Sequence, residues 1–203
     1  MLSLSIMMAM AIFALTMSIT PGPVNMIILS SGTHHGIRPT QGFICGAVLA
    51  FVLLLLVIGL GLMQLINGHP LFLTGLTVVG TAFLVYVGIK IARSTPTLQS
   101  VNQPVPTFVQ GAIVQWLNPK AWIACASGMS LFGQANTLTP LFVFATIYLF
   151  VCYASLLAWA IVGAKMRRLL SQPRHIRGFN QFLGALLIVS ALSMLWEQLF
   201  TTP

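Results

Sequence analysis

The chain has 203 residues, 58% hydrophobic and 5% charged, with nine Lys and Arg against a single acid, Glu197. Ordinary globular domains carry roughly a quarter charged residues, so a soluble surface is excluded and the outside of the fold must meet lipid. The net charge of +8 is no nucleic-acid footprint, because no basic run is interleaved with aromatics and the cations lie between apolar stretches.

A helix needs about 20 apolar residues to cross a bilayer. Six stretches qualify, roughly 3–30, 41–66, 71–92, 107–132, 138–163 and 178–200, so the expected fold is an all-α integral membrane protein with six transmembrane helices. The first stretch lacks the basic start of a secretory signal and runs too long for one, so it is expected to be a retained span. It is interrupted by Thr20-Pro21-Gly22-Pro23, with Asn25 close behind. A break at Thr33-His34-His35-Gly36-Ile37-Arg38-Pro39 follows, with the histidines read as solvated loop residues. The second stretch carries the small-residue stripe Gly42, Gly46, Ala50, which admits a close helix neighbour. Asn67-Gly68-His69-Pro70 separates it from the third stretch, and 94–106, with three prolines, is a linker between a first half (1–93) and a second half (107–203) of one polytopic domain. The fourth stretch is broken at Trp116-Leu117-Asn118-Pro119-Lys120 and also holds Gln110 and Gln115, either site lining or interhelical glue. Gly133 to Thr137 leads into the fifth stretch. Lys165, Arg167, Arg168, Arg174 and Arg177 fill the last break, and Glu197 lies near the outer end of the sixth.

Cations cluster at the first, third and fifth breaks, while Lys120 alone lies inside a span. The positive-inside rule makes the cation-bearing side cytoplasmic, with the linker on it and both termini outside. The three cysteines, Cys45, Cys125 and Cys152, are widely separated with no C-x-x-C, which argues against a disulfide framework or metal site.

Two prolines around a glycine break a helix. The freed backbone groups cannot face hydrocarbon and must be packed in protein or line a water-filled cavity. Half-helix N-termini then meet anionic groups and freed carbonyls meet cationic ones, and a zwitterion needs both. Pro21 lies in the first span of the first three, and Pro119 in the first span of the second three. Because three is odd, two such halves run in opposite directions, so the expected architecture is two inverted three-helix repeats with broken helices 1 and 4. The candidate substrate site is Thr20, Pro21, Gly22, Pro23, Asn25, Asn118, Pro119 and Lys120. A lysine near a span centre costs a few kcal/mol and usually faces the interior. Lys120 would either pair with a substrate carboxylate or lose its proton in one state and couple transport to a gradient.

With Thr20-Pro21-Gly22-Pro23, G-x6-N-P-K from Gly111 to Lys120, and the ladder Gly32, Gly36, Gly42, Gly46, the chain resembles the LysE/RhtB-type amino-acid exporters over essentially its whole length. The stretch Leu29 to Arg38 looks most like the branch exporting cysteine and O-acetylserine. One departure is Val24, where family members often carry Asn or Asp; here Asn25 follows. The resemblance implies a bacterial inner-membrane secondary transporter that exports small, mainly neutral amino acids by alternating access. A proton or sodium gradient drives it, and it has no cofactor. The small-residue stripes are compatible with a homodimer. The rival classes lack their residues: there are no paired cysteines for redox chemistry, no H-E-x-x-H, no cluster of intramembrane acids for a metal cargo, and no G-x4-G-K-[ST] for ATP.

Overall fold

The computed structural model describes residues 2–62, 70–93, 104–133, 137–169 and 173–200. Asn67 to His69, most of the 94–106 linker, Gln134 to Asn136 and the side chains of Arg167, Arg168 and Glu197 lie outside the described residues. Every regular element described is helical: α1 Leu4–Ile19, α2 Pro23–His35, α3 Ile37–Val57 with a π-turn at Ile58–Leu62, α4 Pro70–Ala92, α5 Phe108–Trp116, α6 Pro119–Phe132, α7 Thr139–Leu169 and α8 Pro173–Phe200. Ile37–Gly61, Thr139–Met166 and Arg174–Ser193 are long and apolar enough to cross a membrane, and α1 with α2 makes a fourth candidate, bent by 62°. Phe150, Leu53, Phe182 and Val189 are among many large apolar side chains left on the outside, which suits a lipid surround and would be a liability in water.

The breaks follow local chemistry. Pro23 and Pro119 each start a helix, where a proline's missing N–H costs nothing. Thr107 caps α5 in a reciprocal capping box with Gln110, so Gln110 serves the helix end rather than a site. The first expected loop is shorter than read: α2 runs through His34 and His35, and a single residue, Gly36, turns the chain into α3 at φ 85°. That left-handed angle suits glycine, and Pro39 is tolerated in the first turn that follows. The histidines are therefore helical and half-buried, with His34 Nε2 3.2 Å from Asn180 Oδ1 on α8. Lys165, Arg167 and Arg168 likewise extend α7, and Arg174 and Arg177 open α8.

Three close crossings hold the bundle. A methyl on Gly46 would run into the Phe108 carbonyl, and one on Gly111 into the Phe43 carbonyl, so α3 and α5 meet backbone to backbone. Gly32 and Gly163 join α2 to α7 in the same way, against Ala160 and Leu29. Gly88 and Gly184 join α4 to α8. The Gly42/Gly46/Ala50 stripe thus faces α5, and Ala50 O also accepts from Trp116 Nε1 at 3.0 Å.

Candidate functional site

The break between α1 and α2 frees the carbonyls that Pro21 and Pro23 cannot serve, those of Met17 and Ile19, and its bend strands their neighbours too. Each has a donor. Met17 O shares the Thr20 hydroxyl with Thr16 O. Ser18 O accepts from Asn25 Nδ2 at 2.9 Å. Ile19 O accepts from Trp159 Nε1, on α7, at 3.2 Å. Thr20 O accepts from Asn25 Nδ2 at 3.2 Å and from Lys120 Nζ at 2.8 Å. Asn25 is thus the side chain that rebuilds the broken turn from within its own helix. Lys120 reaches it from the other break, a hundred residues away in sequence.

The second break is closed in a matching manner. Trp116 O accepts from Trp122 Nε1 at 2.8 Å, and Ala121 N donates to Asn118 O at 2.9 Å. Asn118 caps α6 through its Oδ1, which accepts from Lys120 N at 3.2 Å. Gly80 of α4 lets that helix lie directly on the Leu117 carbonyl. The cap and the α4 contact aim the Lys120 side chain across to the first break. There Nζ also lies 3.1 Å from Thr20 Oγ1, and the aliphatic stem passes over Gly22. A methyl at Gly22 would sit 3.3 Å from Lys120 Cδ, so glycine keeps this passage open. The N-terminus of α2, at Gly22, has no side-chain cap, and its first-turn N–H groups face this end of the break carrying partial positive charge.

A cavity of ≈ 30 Å³ lies between the breaks. That is room for about a water molecule or two, well below the roughly 300–1,000 Å³ of an open small-molecule site. Gly22, Asn25, Asn118 and Lys120 line it, so four of the eight expected residues face the cavity. The other four shape the breaks: Thr20 holds Lys120, Pro21 and Pro23 interrupt the helix, and Pro119 starts α6. Ser18, Val24, Phe51, Gln115, Tyr148 and Cys152 also border it. Phe51 and Tyr148 stack at 4.1 Å as part of the wall. Among the described residues no group of three His, Cys, Asp or Glu could hold a metal ion, and the three cysteines are free thiols.

The Trp159, Phe51, Tyr148 and Cys152 contributions were not expected from the sequence. Trp159 and Ile19 are 140 residues apart, so no local pattern reports their contact. The α7 trio had only its spacing: Tyr148, Cys152 and Trp159 recur at four and seven residues, one face of a helix, a signal shared with ordinary core packing.

Apolar helices, two helix breaks facing one small cavity and a lysine that bridges the breaks are the features of a helical membrane transport protein. The chain belongs to the LysE type translocator family, whose model matches residues 15–198. It is similar to the cysteine/O-acetylserine efflux protein of Klebsiella pneumoniae subsp. pneumoniae, 26% identical over 91% of this chain and 94% of that protein. It is similar also to the protein of the same name from Escherichia coli strain K12, 28% identical with the same coverage of both chains. No solved structure matches the chain.

Proposed function

We propose that the chain is a secondary exporter of small, mainly neutral amino acids in the bacterial inner membrane. It works by alternating access, driven by a proton or sodium gradient. The observation that carries the reading is the Lys120 ammonium, set by the second break and bonded at 2.8 Å to a carbonyl freed by the first. A substrate carboxylate can take over that ammonium and the uncapped N-terminus of α2 beside it, an arrangement suited to the anionic end of an amino acid. The similarity to cysteine/O-acetylserine efflux proteins supports a small, uncharged side chain.

On this reading the six helical stretches form two inverted three-helix repeats, α1 to α4 and α5 to α8, with the termini outside. The three glycine crossings lie near the cation-bearing helix ends, beside Arg38, Lys90, Lys165 and Arg177. On this reading the backbone-to-backbone contacts at that end form the cytoplasmic gate. Loading requires α2 and α5 to part from α7 and α3. Lys120 is the latch between halves: bound to Thr20 when the cavity is empty, bound to carboxylate when it is loaded.

Counterflow in proteoliposomes tests the proposal. The vesicles are loaded in turn with cysteine, O-acetylserine, threonine, homoserine, leucine, lysine and arginine, with and without an imposed pH or sodium gradient. Saturable exchange of a small neutral amino acid, accelerated by one gradient, is expected. Exchange of none of them by folded protein would refute the substrate class, and exchange indifferent to both gradients would refute the coupling.

A further inference from the structure

The carboxamide of Gln115 takes no part in closing either break. Gln115 is the last buried residue of α5, 7% exposed, and borders the same cavity as Asn25, Asn118 and Lys120. Its Oε1 is buried with no hydrogen-bond partner. Such groups are uncommon, and an unpaired buried acceptor is costly. Its neighbours are not in this position. Ser18 O, Ile19 O, Thr20 O, Trp116 O and Asn118 Oδ1 all have donors. Among the described, fully buried side-chain atoms that border the cavity, Gln115 Oε1 is the acceptor without a protein partner.

Its missing partner must be a donor. The Lys120 ammonium is already engaged at Thr20, and no acid borders the cavity. A ligand that brings a carboxylate to Lys120 and a donor to Gln115 is an α-amino acid with its ammonium group, whose charge strengthens the bond to an amide oxygen. The rest of the wall includes Val24, Phe51, Ala121, Ala124 and Leu156. Once the cavity enlarges around a ligand, such a wall suits a short apolar or weakly polar side chain and offers no counter-charge to a cationic one.

We propose that Gln115 is a specificity-determining residue of this site, its Oε1 accepting from the substrate's α-ammonium while Lys120 takes the carboxylate. This rests on the reading of the cavity as the substrate site. It makes both ends of the α-amino acid obligatory. An analogue with hydrogen in place of the ammonium leaves Oε1 unpaired again, and lysine or arginine would bury a second cation unmatched.

The test compares the full-length protein with Gln115→Met in proteoliposomes. Two constants are measured: the KM for the exchanged amino acid, and the inhibition constant of its des-amino analogue. Wild type is expected to prefer the amino acid by roughly 10- to 100-fold. Gln115→Met keeps the length and loses the amide. It is expected to raise the amino-acid KM by about that factor and leave the analogue within about twofold, so the preference collapses. An unchanged preference in the folded variant overturns the assignment and leaves the cavity reading standing. Absence of amino-acid exchange by wild type overturns the cavity reading and the assignment together. If Gln115→Met does not purify as folded protein, Gln115→Glu, which keeps an acceptor in place, carries the test. Retained preference supports the role of Gln115, and lost preference in that folded variant overturns it.

Discussion

Replacing Lys120 by methionine separates the latch from the scaffold. Lys120 Nζ makes two hydrogen bonds, at 2.8 and 3.1 Å, both to Thr20. Bonds to a charged group contribute about 1.5–3 kcal/mol each. Against them stands the cost of holding an ammonium at membrane depth, about 2.5–3.5 kcal/mol on insertion scales. The partner left behind is not orphaned, because Thr20 O keeps Asn25 Nδ2 at 3.2 Å. The backbone cap of α6 is untouched, since it uses Lys120 N rather than Nζ. Two such bonds, about 3–6 kcal/mol together, are largely offset by that cost, so the folded state should shift by between about 0.5 kcal/mol of gain and about 3.5 kcal/mol of loss. Transport has no such compensation. Removing one partner of a desolvated charge pair with the substrate costs about 2–5 kcal/mol, or roughly 30- to 4,000-fold in kcat/KM. Thermal unfolding of the purified protein and counterflow of the same preparation measure the two effects side by side. Wild-type exchange by folded Lys120→Met would refute the role of the lysine. Loss of folding together with loss of exchange would refute the separation argued from the Asn25 contact.

Three further outcomes are expected. The double change Pro21→Ala, Pro23→Ala returns N–H groups that Met17 O and Ile19 O can accept. The 62° bend should relax with no loss of thermal stability, and the counterflow KM should rise at least about tenfold; unchanged KM would make the break a packing feature. Gly46→Ala drives a methyl into the Phe108 backbone and should destabilise by about 1–3 kcal/mol, whereas Gly42→Ala, whose methyl would lie 3.8 Å from Phe108 N, should unfold with wild type; equal melting of the two would contradict the crossing. Asn25→Leu leaves Ser18 O buried without its donor and should cost about 1–3 kcal/mol in denaturant or thermal unfolding, a loss absent if the first break is held by its prolines alone.

What the sequence revealed divides along a physical line. Proline and glycine act on their own backbone, so the breaks at Pro21, Pro23 and Pro119 were legible, and so was the Gly42/Gly46/Ala50 stripe as a helix contact. Gly36 was misread in extent because its polar neighbours Thr33, His34, His35 and Arg38 look like a loop. A single left-handed residue in fact makes the whole turn, and His34 finds Asn180 across the bundle. The two glutamines of the fourth stretch could not be told apart by composition. They are five residues apart, about 140° around a helix, and only the rotation of α5 decides which faces inward. That rotation is set by Gly111 against the Phe43 carbonyl, a contact between distant segments. It turns Gln115 to the cavity and leaves Gln110 to cap the helix. The donors that satisfy the freed carbonyls, Trp159 above all, come from parts of the chain with no local relation to the break.

The proposed transport rests on an amino acid lying between the two breaks with its carboxylate on Lys120. A structure of the protein in a lipid nanodisc with the amino acid that it exchanges tests this most directly. The ligand is expected in the enlarged cavity, its carboxylate within hydrogen-bond distance of Lys120 Nζ and the bond from Nζ to Thr20 O released. A bound amino acid elsewhere, or one in the cavity with Lys120 still tied to Thr20 and its carboxylate held by other groups, would contradict it.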